Sequence, residues 1–390
     1  MRKADRCSGA LHLRVILDDR LAGSRTSKVC ILNNFSPSTG LKSPTFTDKT
    51  QKRMGVHATT RSTFAGGRGP CRILAYFVAF LLSAVLITNL LRAPSTAAAT
   101  PSSIAKVSIL SGRLKGDDLY RRSAALHERH DKRFGYRQYV LKERLIGGFW
   151  DRPLYIMSLI TQELAKPEDQ RLQWLMWYDS DTILMNPNLP LEAFLPPEDQ
   201  WSHVHMLVTN DDNGLNNGVF FIRVHPWSIQ LLKTVLSIQS YEPDIDLEYN
   251  EQTALELWLL SDAYREHVMH VPQRWFNAYA RGWLLEEEGN RIQATMEDAR
   301  LPKNTIAKGD LLVHLAGHLS KPYMMSRFLA LAEEHKSEWE VEYAKSQLRE
   351  EIQSWWENDA LEEDLTADKY IEKMEKRRKF RKEHGLHTGV

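Results

Sequence analysis

Residues 73–91 read Ile-Leu-Ala-Tyr-Phe-Val-Ala-Phe-Leu-Leu-Ser-Ala-Val-Leu-Ile-Thr-Asn-Leu-Leu, without one charged side chain. Wound as a helix, such a stretch is about 28 Å long, close to the thickness of a hydrocarbon core. A globular helix of that length normally keeps a polar face, and this segment has none. The segment is therefore expected to be a membrane anchor. A cleaved signal peptide fits poorly, because the run starts far from Met1 and exceeds the usual apolar core of such a peptide.

The anchor divides a chain whose overall net charge is only +1. Residues 1–72 hold fourteen Lys/Arg against four Asp/Glu, whereas residues 93–390 hold thirty-six against forty-six. Positive charge collects on the cytoplasmic side of a span, so residues 1–72 are expected to be a basic, disordered cytoplasmic tail. Residues 92–103 then form a stalk, and the acidic body lies in a lumen: a single-pass, type II arrangement. An acidic body does not bind nucleic acid by bulk electrostatics, and no nucleic-acid partner is expected. All three cysteines, Cys7, Cys30 and Cys71, precede the anchor. The body therefore has no thiolate metal site, no cysteine nucleophile and no disulfide, and must rely on its apolar core.

Within the body, β-rich runs at Ile104–Leu110, Tyr136–Leu141, Leu172–Tyr178, Val204–Thr209, Val219–Val224, His267–Val271 and Leu311–Leu315 alternate with helical patterns near 117–133, 151–165, 226–239 and 250–262. Alternation of this kind predicts an α/β domain with a mostly parallel central sheet, here over 104–330. Leu172–Tyr178 is almost wholly apolar, as expected of a strand buried on both faces. Residues 331–390 read as a charged, helical C-terminal extension.

Asp179-Ser180-Asp181 ends that buried strand. Ligands of α/β sheets bind at the C-terminal ends of strands. Two carboxylates so close repel each other unless a cation intervenes, and hard oxygen ligands suit Mg²⁺ or Mn²⁺. A second segment, Asn213-Gly-Leu-Asn-Asn-Gly218, pairs glycines that admit a close ligand with asparagines that both donate and accept. A hairpin turn is the other reading of that segment.

Taken with Glu251-Gln252-Thr253-Ala254-Leu255 and Val313-His314-Leu315-Ala316-Gly317-His318, these motifs resemble glycosyltransferase family 34 over about residues 104–330. That family contains fungal α-galactosyltransferases, Golgi α-mannosyltransferases and plant xyloglucan xylosyltransferases. The resemblance implies a GT-A-type nucleotide-sugar-binding domain, a UDP- or GDP-sugar donor, Mn²⁺ (or Mg²⁺) and transfer of a hexose to a glycan hydroxyl with retention of configuration. It implies that Asp179, Asp181 and His314 hold the metal. Asp179, Asp181, Asn216, Gly218 and Lys321 are then expected at the donor, and Gln252, Glu251 and Asn217 at the reacting centre. Galactose and mannose are the expected sugars, the Golgi membrane the expected location, and a multiprotein glycosyltransferase complex a candidate partner.

Two departures from the family pattern stand out. Glu251 replaces the family's aspartate. The lysine expected five residues after the histidine is Lys321, seven residues on, with His318 between. Two alternatives remain at this point: a membrane-tethered subunit that has kept the fold and lost activity, and a haloacid-dehalogenase-like phosphatase, whose acidic motif Asp179-Ser-Asp181-Thr182 partly imitates.

Overall fold

The computed structural model describes residues 102–386 apart from 113, 115–116, 282, 289–290, 297–302 and 366. The expected tail, the apolar segment 73–91 and the stalk up to residue 101 lie outside the described residues. Among the described residues no helix is long and apolar enough to cross a membrane.

Six strands form the central sheet: β1 (Ile104–Ile109), β2 (Arg137–Leu141), β3 (Trp174–Tyr178), β5 (Met206–Asp211), β6 (Gly214–Arg223) and β7 (Val268–His270). Their order is β2-β1-β3-β6-β5-β7. β1 runs parallel to β2 and β3, and β5 parallel to β7, while β6 is antiparallel to both β3 and β5. The sheet is thus parallel-rich with one reversed strand. That reversal arises because β5 and β6 are joined by a two-residue turn at Asp212-Asn213, too short for a parallel crossover.

Side-chain alternation along each strand divides the interior into two cores. Trp174, Met176 and Tyr178 of β3 join one core with Val219 and Phe221, while Leu175 and Trp177 join the other with Phe220 and Ile222. The second core is roofed by the helices Asp151–Leu164, Pro226–Tyr241 and Glu251–Leu259. The first is closed by the helix Lys321–Glu333 and by Trp339, Leu348, Ile352, Trp356 and Ala360 from the segments that follow. Trp275 is completely buried in this core and offers no face to a ligand.

A smaller sheet completes the site. β4 (Thr182–Leu184) lies antiparallel to β11 (Leu312–His314), and β8 (Ala278–Tyr279) lies parallel to β11. A hairpin of β9 (Trp283–Glu288) and β10 (Arg291–Met296) follows β8. β4 is not conspicuous in the sequence, because a three-residue strand carries too few positions to show a period.

The terminal helix Asp368–Glu383 folds back over the sheet. Arg381 pairs with Asp246 at 2.7 Å and Glu248 at 3.2 Å, and Arg377 pairs with Glu248 at 3.3 Å and with Glu256. Glu256 in turn accepts the Leu215 N–H at 3.0 Å, so this helix braces the strand that carries the asparagine segment. Gly214, at φ +113°, is required there, since a Cβ would overlap both Glu256 and Arg377.

Under this helix His270 stacks on Tyr370 at 4.3 Å. Burial, with a smaller contribution from Lys369, lowers its pKa to about 3. An unfolded chain protonates this histidine near 6.5, whereas the folded chain keeps it neutral. Its contribution is therefore fully present above pH 6.5 and is lost as pH falls toward 3. Between pH 7.5 and 5.5 the wild-type chain is expected to lose about 1 kcal/mol more unfolding free energy than His270→Gln, measured by denaturant titration at both pH values. Equal losses in the two chains would refute the assignment.

Candidate active site

The acidic motif sits where β3 leaves the sheet. Asp179 N–H donates to Gly218 O at 2.7 Å, and Thr182 N–H returns to Asp179 O at 3.1 Å, closing a tight turn around Ser180-Asp181. β4 then pairs with β11 so that Thr182 stands opposite His314. This pairing carries the imidazole to the two carboxylates: His314 Nε2 lies 3.4 Å from Asp181 Oδ1 and 3.9 Å from Asp179 Oδ2. One ligand atom from each of the three residues falls within 4.8 Å of the others.

A chain of amides decides which face the imidazole presents. Asn277 Nδ2 donates to Asn216 O at 3.3 Å and contacts Asn216 Oδ1 at 3.0 Å and Thr209 Oγ1 at 2.8 Å. Because a backbone carbonyl only accepts, the nitrogen end of the Asn277 amide must point that way, leaving its Oδ1 toward His314. His314 Nδ1 therefore donates to Asn277 Oδ1 at 2.7 Å. In the neutral ring the lone pair then lies on Nε2, the atom aimed at the carboxylates. Two carboxylates and one imidazole lone pair fit Mn²⁺, which accepts oxygen and nitrogen donors together, better than all-oxygen Mg²⁺.

Gly218 is the seat of that ring. A Cβ there would lie 2.1 Å from His314 Cε1 and under 3 Å from both ring nitrogens. Gly218, expected at the donor, lies where it admits the histidine. Asn216 is bonded within the frame of the site: its Nδ2 donates to Tyr279 OH at 2.6 Å and Asp211 Oδ2 at 3.1 Å, and its Oδ1 accepts from Gly218 N–H at 3.0 Å. The segment is also strand rather than loop, with the hairpin turn just before it.

Lys321, whose spacing departs from the family pattern, begins its helix with Nζ 2.5 Å from Asp181 Oδ2, a contact between residues 140 positions apart. His318 lies on the loop that follows β11, and Lys321 at the start of the next helix. Burial works to raise the Asp181 carboxyl, but His314 and Lys321 outweigh it and hold the group below the ordinary carboxylate range.

On the far side, Glu251 and Gln252 form the first turn of the helix Glu251–Leu259, entered through Asn250 at φ +52°. Gln252 Oε1 accepts from Asn217 N–H at 3.2 Å, and Glu251 Oε1 from Asn217 Nδ2 at 3.4 Å. Burial, aided by the nearby Asp179 charge, pushes the Glu251 carboxyl up against the opposing pull of Arg152 and Asn217. Its Oε2 is buried without a hydrogen-bond partner among the described residues.

Three contributors were not picked out from the sequence. Arg152 is the hub: its Nη1 donates to Asn217 O at 2.6 Å, and its Nη2 lies 3.2 Å from Asp179 Oδ1 and 3.6 Å from Glu251 Oε1. The guanidinium also lies over the Trp177 ring, whose Nε1–H donates to Asp179 Oδ1 at 2.9 Å. Asp151, its neighbour, accepts the N–H groups of Leu145, Ile146 and Gly147 and so anchors the helix start that aims Arg152 inward. Asn277 and Tyr279 are the others. The one available signal was the Gly147-Gly148 pair before Asp151-Arg152-Pro153, which marks a tight entry into a helix.

Residues 195–320 match the model of the galactosyl transferase GMA12/MNN10 family. The chain is 25% identical over 221 residues to an uncharacterized alpha-1,2-galactosyltransferase of Schizosaccharomyces pombe, covering 49% of this chain and 59% of that one. It is 27% identical over 144 residues to the probable alpha-1,6-mannosyltransferase MNN10 of Saccharomyces cerevisiae, covering 30% and 37%. These matches support the resemblance to glycosyltransferase family 34. The chain spans a little over half the length of the first of these relatives and about a third of the second. Among solved structures it is similar to a glycosyltransferase involved in the glycosylation of the major capsid of PBCV-1, with 15% identity and a TM-score of 0.40 over 57% of this chain and 98% of that one. The family match takes in Asn216, Gln252 and His314, whereas Arg152, Asp179 and Asp181 lie before it. The family match and these relatives favour the glycosyltransferase reading over the phosphatase alternative.

Proposed function

We propose that the chain is a retaining hexosyltransferase of the GT-A type that moves galactose or mannose from a UDP- or GDP-sugar to a glycan hydroxyl, with Mn²⁺ held by Asp179, Asp181 and His314. The observation that carries the reading is the approach of two carboxylates and an oriented imidazole, within 4.8 Å, at the C-terminal end of β3. When bound, the metal would neutralise charge on the departing nucleoside diphosphate.

The chain's own groups supply the rest. Lys321 is a cation at Asp181, suited to share its ammonium with the diphosphate oxygens. Arg152 holds Asp179 on one side and Glu251 on the other, keeping the acidic groups of both halves of the site in register. Gln252 commits its Oε1 to Asn217 and keeps its NH₂ for donation to a sugar oxygen or to the departing phosphate. Glu251 Oε2 has acceptor capacity for a sugar hydroxyl. Glu251 is already bonded by Asn217 and Arg152, which suits a positioning carboxylate better than a covalent nucleophile and so favours same-face displacement. Preorganised charge of this kind is the main source of rate in such a site.

The test is transfer by the full chain from UDP-galactose, GDP-mannose and UDP-xylose, with and without Mn²⁺. Asp181→Ala is expected to lower kcat by about 10³-fold while leaving the melting temperature within a few degrees. A folded wild-type chain that neither transfers nor binds any of the three donors would point to the inactive, complex-forming subunit instead. The proposed setting is the Golgi membrane, with residues 1–72 cytoplasmic, the site lumenal, and a glycosyltransferase complex as a possible assembly. Protection of the body, but not the tail, from protease in sealed Golgi vesicles checks that orientation.

A further inference from the structure

Behind the acidic turn lies a buried polar network that no step above uses. Lys106 of β1 and His127 of the helix Asp118–Phe134 are both fully buried. Lys106 Nζ is 2.7 Å from Asp131 Oδ1, donates to His127 O at 3.2 Å and lies 3.4 Å from His127 Nδ1. His127 Nε2 lies 3.1 Å from Thr182 Oγ1, and Thr182 Oγ1 donates to Asp179 O at 2.8 Å. The His127 ring also stacks on Tyr178, the residue before Asp179, at 3.9 Å and 16°.

The direction of every bond follows from its last acceptor. Asp179 O can only accept, so the Thr182 hydroxyl gives its proton there and must receive one from His127 Nε2–H. Burial, together with the Lys106 charge, keeps the His127 ring neutral, so its Nδ1 carries the lone pair that faces the ammonium. Charge and hydrogen bonds thus run one way, from Lys106 through His127 and Thr182 to the carbonyl of the first aspartate. Thr182 joins all three candidate metal ligands: its hydroxyl holds Asp179, its amide follows Asp181, and its backbone stands opposite His314 in the β4–β11 pair.

We propose that Lys106, His127 and Thr182 are positioning residues, a buried relay that fixes the Asp179–Asp181 turn in the geometry that takes up the divalent ion. The proposal rests on the metal reading above. A buried Lys–Asp pair adds little net stability over an apolar pair of similar volume, so its retention beside the turn is explained better by the geometry it imposes. Partners one shell out from a metal are commonly worth about 10- to 100-fold in affinity.

The experiment uses the full chain and Mn²⁺ alone, with bound ion counted by electron paramagnetic resonance, and with thermal melting and imidazole nitrogen NMR in parallel. Thr182→Val keeps the backbone pairing and the volume but removes the hydroxyl. It is expected to melt within a few degrees of wild type and to bind Mn²⁺ about 10-fold more weakly, while Thr182→Ser restores the affinity. His127 is expected as the Nε2–H tautomer in the wild type, with that signature altered in Lys106→Met. Wild-type Mn²⁺ affinity in Thr182→Val, or an Nδ1–H tautomer of His127 in the unaltered chain, would overturn the relay. A wild-type chain that binds no Mn²⁺ overturns the metal reading itself, an outcome distinct from the other two.

Discussion

Gly218→Ala is expected to weaken Mn²⁺ binding by about 100-fold and to lower transfer by a similar or larger factor, in a chain that still folds. The added Cβ would stand 2.1 Å from His314 Cε1, where carbon atoms in contact sit about 3.5–4.0 Å apart. The ring has no easy retreat. It is buried, its Nδ1 is held by Asn277, and its backbone is paired on both sides by β4 and β8. Overpacking of this kind costs roughly 1–3 kcal/mol of stability, so the protein survives while the imidazole is pushed off its line to Asp179 and Asp181. Metal titration beside a melting curve reads both effects. Unchanged affinity in the alanine chain would show that His314 does not need this seat.

Arg152→Ala is expected to cost more in stability, about 3–5 kcal/mol, because it strips a cation from two carboxylates at once. Glu251 is 3% exposed, and with Arg152 removed it would face Asp179 without an intervening charge. The Asn217 carbonyl would lose its donor as well. Arg152→Lys is expected to recover only part of the loss, since one ammonium cannot span Asn217 O, Asp179 and Glu251 as a planar fork does. Denaturant unfolding gives the energy, and activity measured on the fraction still folded separates positioning from stability. A lysine chain equal to wild type in both would reduce Arg152 to a simple counter-charge.

Much of the framework was readable in the chain itself. Trp174–Tyr178 declares a strand buried on both faces because no residue in it tolerates water, and the acidic motif follows at once because a turn must leave the sheet there. Pro153 near the start of the helix Asp151–Leu164 and Pro226 at the start of Pro226–Tyr241 mark those entries by the same local logic. The roles of Gly218 and Asn216 were not readable. Both look like ligand-binding residues in a glycine- and asparagine-rich segment, and only the position of His314 and Tyr279 turns one into a seat and the other into a brace.

Arg152 and Asn277 show why. Nothing near either residue in the sequence hints at a ligand, since their partners come from β3 and the turn after it, from β5, β6 and β11, and from the start of a distant helix. The strand-and-helix alternation, the acidic pair and the family resemblance were legible in the sequence, because these depend on periodicity and on residues adjacent in the chain. The tertiary structure alone decided which nitrogen of His314 faces the carboxylates and which side chains hold the pair in place. Those choices depend on hydrogen-bond direction and van der Waals overlap between groups that only folding makes neighbours.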